Sequence, residues 1–268
     1  MITLDLAPPG EISYVCDTAS AAERLLNGRH TRAPLQALDD SEVPRTEDDA
    51  YRIQDAVAAA LIADQGNIMG WKVGAPSPTG LPFAAPLHEA TLFNGDTTLA
   101  PGLCRHRGVE AEIVYRLGRD LPWRDRPWSL GEVMDAIDSV HTAIEIIDTR
   151  FVRPGSQPRL VHLADQASHG ALVIGQGAKA WQRLSPVCET VRLAFSDGRV
   201  IEHIGGNSAG DPRRLLVWLA NHAMGRGIPL MAGCMITTGS MTDTIFVPPG
   251  TTATARIAHL QPITVEMP

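Results

Sequence analysis

Hydrophobic positions recur at two spacings along this chain, and the change between them divides it. Tyr51, Gln54, Val57, Ala58, Leu61 and Ile62 repeat at helical intervals. Thr46-Glu47-Asp48-Asp49 supplies a helix start with acid in its first turn, and Gly66 ends the pattern. Before it, Asp17 or Thr18 caps a short predicted helix through Leu26 that Gly28 ends. After Gly70-Trp71-Lys72-Val73-Gly74 the period shortens. Residues 109–117, 142–148, 170–174, 190–196, 199–204, 234–239, 243–247 and 252–258 read as strands, with Asp197-Gly198 as a hairpin turn. Two helices interrupt them. Ser129 to Val140 opens on a Ser-x-x-Glu capping box, and Asp211 to Arg226 opens on Asp-Pro. The stretch from Pro76 to Pro86 is rich in Pro, Gly and Ser and reads as a mobile loop. The expected architecture is α+β: a helical N-terminal region over 1–75, then a mixed sheet curled into a roll over 76–268. No G-x-G-x-x-G fingerprint suggests a doubly wound nucleotide fold.

Composition narrows the function classes. The chain has 268 residues, 44% of them hydrophobic, enough for one large core with a smaller N-terminal piece. Net charge is −7 without a basic run, so nucleic acid is not an expected partner. No stretch approaches the roughly 20 apolar residues of a membrane-spanning helix. Met1 to Gly10 lacks the basic start and apolar centre of a signal peptide. Cys16, Cys104, Cys188 and Cys234 show no C-x-x-C spacing, and are read as ordinary small buried residues in a reducing cytoplasm.

The candidate chemistry begins with Glu110 and Glu112 in Val109-Glu110-Ala111-Glu112-Ile113-Val114-Tyr115. On a strand, residues two apart share a face, so the two carboxylates repel unless a cation lies between them. A hard divalent ion, Mg²⁺ or Mn²⁺, takes such oxygen ligands. Glutamates facing water on an edge strand are the alternative. Glu145, inside the apolar run Ala143-Ile144-Glu145-Ile146-Ile147, favours the metal. Lys72 has glycines on both sides, which would let backbone approach a ligand. On local sequence alone it reads as a lysine snorkelling to water. His162, Asp165, Ser168 and His169 cluster, but without a Gly-x-Ser-x-Gly elbow they do not specify a hydrolytic triad. Ser168, and Ser240 in the Thr237-to-Thr242 loop, could contact a ligand carboxylate.

Taken in order, these segments resemble the 2-hydroxypentadienoate (2-keto-4-pentenoate) hydratase and 4-oxalocrotonate decarboxylase family of the fumarylacetoacetate hydrolase superfamily. The resemblance runs through Gly70-Trp71-Lys72-Val73-Gly74, Val109-Glu110-Ala111-Glu112-Ile113 and Leu117-Gly118-Arg119-Asp120-Leu121-Pro122. It continues through Ala143 to Arg150, Ala164-Asp165-Gln166-Ala167-Ser168, Val217-Trp218-Leu219-Ala220 and Thr238-Gly239-Ser240. It implies the β-roll of that superfamily's C-terminal domain and a homo-oligomer. It also implies a divalent metal on Glu110, Glu112 and Glu145, with Lys72 assisting proton transfer beside a metal-bound 2-keto acid or dienol. Two departures stand out. Leu81-Pro82-Phe83-Ala84-Ala85-Pro86 lacks the acidic residue many hydratases carry there, and Gln166 replaces a common Asn. The Ser77-to-His88 loop is expected to line the cleft with Leu81 and Phe83. The leading expectation is a hydratase, the runner-up a 2-oxo acid decarboxylase. An acylpyruvate hydrolase and a non-catalytic keto-acid-binding homologue follow.

Overall fold

The computed structural model describes residues 15–268, so Met1 to Gly10, where a signal peptide is not expected, lie outside the described residues. Two helices come first. α1 (Thr18–Thr31) starts at Asp17, whose side chain accepts the Ser20 N–H, and ends at Arg32 in the left-handed region. It therefore runs past Gly28, which is buried inside the helix instead of ending it. α2 (Glu47–Gln65) has the expected capping box on Thr46 and Asp49 and ends at Gly66.

The strands form two sheets. In chain order they are β1 (Ile68–Gly74), β2 (Phe83–His88), β3 (Leu92–Asn94), β4 (Thr97–Thr98), β5 (Gly108–Leu117), β6 (Ile137–Ile147) and β7 (His169–Ile174). Then come β8 (Thr190–Phe195), β9 (Val200–Ile204), β10 (Met235–Ser240), β11 (Ile245–Phe246), β12 (Thr251–Ile257) and β13 (Ile263–Met267). The larger, eight-stranded sheet has the order β2-β1-β10-β5-β6-β7-β3, with β11 paired to the end of β5. The smaller has the order β4-β13-β12-β8-β9. Parallel and antiparallel pairs mix in both. Short α3 (Leu130–Met134) and α4 (Arg159–Ala164) and the longer α5 (Arg213–Gly225) complete the α+β architecture. None of the described helices is long and apolar enough to cross a membrane.

Three differences from the sequence-based elements have simple causes. The predicted helix at 129–140 stops at Met134, because Ile137 to Val140 already belong to β6 and pair with β5. Part of the expected mobile loop is strand β2, fully paired with β1; its Pro86 is tolerated because β2 is the sheet edge. Cys188 is exposed, whereas Cys104 is buried and Cys16 and Cys234 are intermediate; all four are free thiols. The Asp197-Gly198 turn forms, with Gly198 at φ 91° joining β8 to β9.

The core lies between the sheets. Odd-numbered residues of β5, among them Val109, Ala111, Ile113 and Tyr115, join Ile144 and Ile146 of β6 and Leu193, Ala253 and Val265 of the smaller sheet. Even-numbered residues of β5 face the other way. There Val114, Ala143, Leu172 and Ile174 form a small apolar patch, and Glu110 and Glu112 share that face.

Candidate metal centre

Sheet register assembles the site. Glu110 on β5 lies directly opposite Glu145 on β6, and Glu112, two residues along, opposes Ala143 on one side and Ser240 of β10 on the other. Lys72 pairs with Thr237 in the neighbouring β1–β10 ladder, so it projects from the same face. Carboxylate oxygens of Glu110, Glu112 and Glu145 lie within 4.8 Å of one another, and all three residues are buried. Like charges so placed destabilise a sheet unless a cation intervenes.

Lys72 supplies one positive charge. Its Nζ is 2.8 Å from Glu145 Oε1 and donates to the Ala167 carbonyl at 3.0 Å. The side chain is 9% exposed, so the snorkelling reading fails. Burial works against its charge, but Glu145, Glu110 and Glu112 raise its pKa above the ordinary lysine value. Burial likewise opposes ionisation of Glu145, yet Lys72 and a 2.9 Å hydrogen bond with His169 Nδ1 lower it to about 2. Glu112 goes the other way: burial and the charges of Glu145 and Glu110 push it well above the usual carboxylate range. Glu110 is raised by burial and by Glu145. Burial lowers His169, whose other nitrogen meets Thr91 Oγ1 at 3.0 Å.

The residues fit a metal ion on two grounds. Were all three glutamates ionised, they would leave two negative charges beyond the Lys72 ammonium, the complement of a divalent cation, and the raised pKa of Glu112 and Glu110 reflects burial and then that excess. The carboxylates are also held in a specific way. Glu112 Oε2 accepts the Thr237 hydroxyl and the Gly239 N–H, Glu145 Oε1 accepts from Lys72 and His169, and Glu110 Oε1 accepts the Thr244 hydroxyl. Glu112 Oε1 and Glu145 Oε2, by contrast, are buried without any hydrogen-bond partner. Buried oxygens of this kind are rare unless an ion or water belongs there. Fixing one carboxylate oxygen while leaving the other free is how outer partners orient metal ligands. Gly239 makes its contact at φ 86°, inside a register shift of β10 against β5, a conformation that favours glycine.

The adjoining cleft, about 330 Å³, is lined by Lys72, the three glutamates, Phe83, Ala167, Ser240 and Thr244 among others. Phe83 enters because Gly74 leaves room: a Cβ there would meet the ring at 2.7 Å. Ser240 and Phe83 both line this cleft. Ser168 does not line this cleft; its hydroxyl pairs with His162 Nδ1 at 3.1 Å beside a smaller apolar cavity. Leu81 is 72% exposed and lines neither. It precedes strand β2, so the pairing that carries Phe83 inward does not reach it.

Several supporting residues have roles that the sequence does not assign to them. Thr237 and Thr244 lie in a hydroxyl-rich segment, and His169 closes the His/Asp/Ser cluster; these are the signals the chain offers. Ala167 carries no side-chain signal at all. Its carbonyl is presented by a turn in which Gln166, Ala167 and Ser168 all have positive φ, at 49°, 48° and 59°. Buried Asp165 anchors that turn, accepting the Thr149 hydroxyl and Arg150 N–H and lying 2.6 Å from Arg150 Nε.

Fold and side chains together define an α+β protein carrying a buried three-glutamate, one-lysine cluster of metal-binding composition. No family model matches the chain. It is 29% identical over 237 residues to a 2-keto-4-pentenoate hydratase of Paraburkholderia xenovorans, covering 86% of this chain and 87% of the relative. Over 159 residues it is 33% identical to a 4-oxalocrotonate decarboxylase of a Pseudomonas species, covering 58% of each. A solved 4-oxalocrotonate decarboxylase from Pseudomonas putida G7, complexed with magnesium and adipate, superposes with a TM-score of 0.82 at 24% identity, covering 93% of this chain and 96% of that one. The chain is thus similar over most of its length to curated 2-keto-4-pentenoate hydratases and over 58% of it to a curated 4-oxalocrotonate decarboxylase, and it shares the fold of the solved 4-oxalocrotonate decarboxylase.

Proposed function

We propose that this chain is a metal-dependent hydro-lyase that adds water to a 2-hydroxy-2,4-dienoate and releases a 4-hydroxy-2-keto acid. The observation that carries the reading is the pair of unpartnered buried oxygens on Glu112 and Glu145 beside the Lys72 ammonium. Glu110, Glu112 and Glu145 would hold Mg²⁺ or Mn²⁺. When bound, such an ion supplies Lewis-acid stabilisation of negative charge developing on a substrate oxygen.

The chain's own residues account for the rest. Conversion of the dienol to its 2-keto-3-ene tautomer moves the hydroxyl proton to the far end of the diene. Water then adds at C4, and C3 takes a proton. Lys72, fixed by Glu145 and the Ala167 carbonyl, is the proton-bearing group of the cleft, and its ammonium holds a proton ready for these transfers. Burial of all four charged side chains excludes water and strengthens each electrostatic contact. Phe83, Val73 and Ala75 give the cleft an apolar wall that suits a short hydrocarbon tail. Lys72 is the one cationic side chain in the lining, and it is already engaged, so a second substrate carboxylate has no partner there. This favours a mono-acid.

Decarboxylation of a 2-oxo-enoate diacid is the second reading, favoured by the 33% identity to a 4-oxalocrotonate decarboxylase. Turnover of 2-hydroxydienoates and oxo-diacids with Mg²⁺ and with Mn²⁺ separates the two. Loss of dienol absorbance without CO₂ supports hydration, whereas stoichiometric CO₂ from a diacid replaces it with decarboxylation. Cytoplasmic residence and a homo-oligomeric state belong to the same proposal. Free thiols support the first, and exposed apolar side chains such as Trp123 and Met231 support the second. Light scattering that returns a monomer would remove the oligomer and leave the chemistry untouched.

A further inference from the structure

Four arginines surround a second cavity that the proposed reaction does not use. It measures about 190 Å³, lies between α1, the turn at 102–105 and residues 148–150, and shares no lining residue with the glutamate cleft. Arg29 and Arg150 are its buried floor, with side chains 10% and 6% exposed. Arg32 and Arg105 stand exposed at its rim and make no ion pair among the described residues. The one carboxylate in the lining, Asp148, is partly committed to the His106 N–H at 3.0 Å. Behind the floor, a single carboxylate is divided between two guanidiniums: Asp165 lies 2.6 Å from Arg150 Nε and 3.9 Å from Arg29 Nη2.

The charge on Arg29 is compensated only in part, by Asp165 and then Asp148. Its Nη2 donates to Gln166 Oε1 at 2.7 Å, but its Nε is buried with no hydrogen-bond partner. Burial, and then the neighbouring charge of Arg150, pull its pKa down to about 9. A desolvated guanidinium with an unmade bond costs free energy, and like charges gathered around one cavity add to that cost. An anion removes both, since guanidinium groups present paired donors that match carboxylate and phosphate oxygens. We propose that this cavity binds a small, doubly charged oxyanion, either phosphate or a dicarboxylate, between its arginine floor and its arginine rim. The site is separate from the metal centre, although Thr91 in its wall meets His169, which in turn meets Glu145.

Calorimetric titration of the Mg²⁺-loaded protein with inorganic phosphate, and separately with succinate, at constant ionic strength tests this. Saturable binding is expected, weakened about tenfold or more in Arg32→Ala/Arg105→Ala. Both changes are at exposed positions, and the variant's melting curve in anion-free buffer checks its folding; Arg105→Gln alone gives the same comparison if the double variant melts early. Tighter phosphate binding assigns a phosphoryl ligand, and tighter succinate binding a dicarboxylate. Absence of saturable binding by either anion overturns the proposal. So does an affinity unchanged by the rim substitutions, which would mean an anion on the metal or an adventitious ion only.

Discussion

Glu112 holds its two oxygens in opposite states, one hydrogen-bonded to Thr237 and Gly239, the other buried and unpartnered. Without a cation its negative charge is a liability, so Glu112→Gln is expected to melt no lower than the parent in metal-free buffer. The same variant should lose most of the Mg²⁺-induced rise in melting temperature and more than about a hundredfold in turnover, exceeding the usual loss from an outer partner. A melting rise as large as the parent's would take Glu112 out of the ligand set. Lys72 sits on the other side of the balance. Lys72→Ala should lower turnover by about 10²–10⁴, the usual worth of a positioned proton donor, while the Mg²⁺-induced shift persists. Full activity in that variant would leave Lys72 as a structural counter-ion only.

Among the elements, the turn at 166–168 is where local preference and fold disagree. Three successive non-glycine residues adopt the left-handed conformation there, at roughly 1–2 kcal/mol each. Tertiary contacts hold it: Asp165 through Thr149 and Arg150, Gln166 through Arg29, and Ser168 through His162. Its product is a carbonyl at Ala167 aimed at Lys72. Ala167→Gly should therefore raise stability by about 1 kcal/mol in chemical denaturation, because glycine enters this region without penalty. A loss of stability would show that the Ala167 methyl packs more usefully than its backbone is strained. The neighbouring edge strand β2 illustrates the same competition. Phe83 to His88 has the proline and alanine content of a loop, yet every position from Ala84 to His88 is buried, and pairing with β1 makes it strand.

For the molecule as a whole, the metal should link to global stability, since the triad is assembled from β5 and β6 and held by β1, β7 and β10. An ion that binds only this folded arrangement stabilises by mass action, about 2.7 kcal/mol at a hundredfold excess over its Kd. For a chain of this length that corresponds to a rise in Tm of about 5–10 °C, reversed by a chelator. Calorimetric scans with Mg²⁺, with Mn²⁺ and with chelator read this directly. An unchanged Tm in both metals would sink the metal reading.

The glutamate pair, its strand and the choice of oxygen ligands were legible in the chain itself, because alternation along one strand is a local property. So were α2 with its capping box, the Asp197-Gly198 turn and the order of segments that carries the family resemblance. Register was not legible. Nothing near Glu110 states that Glu145 lies directly across from it, or that Lys72 meets a carbonyl 95 residues later in the chain. Those contacts follow from which strands pair and in what phase, and that is decided by packing of the odd faces between two sheets. The inward path of Phe83, the exclusion of Leu81 and the arginine-lined cavity belong to the same non-local level. Charge and burial there depend on neighbours far away in sequence, so tertiary structure alone decided them.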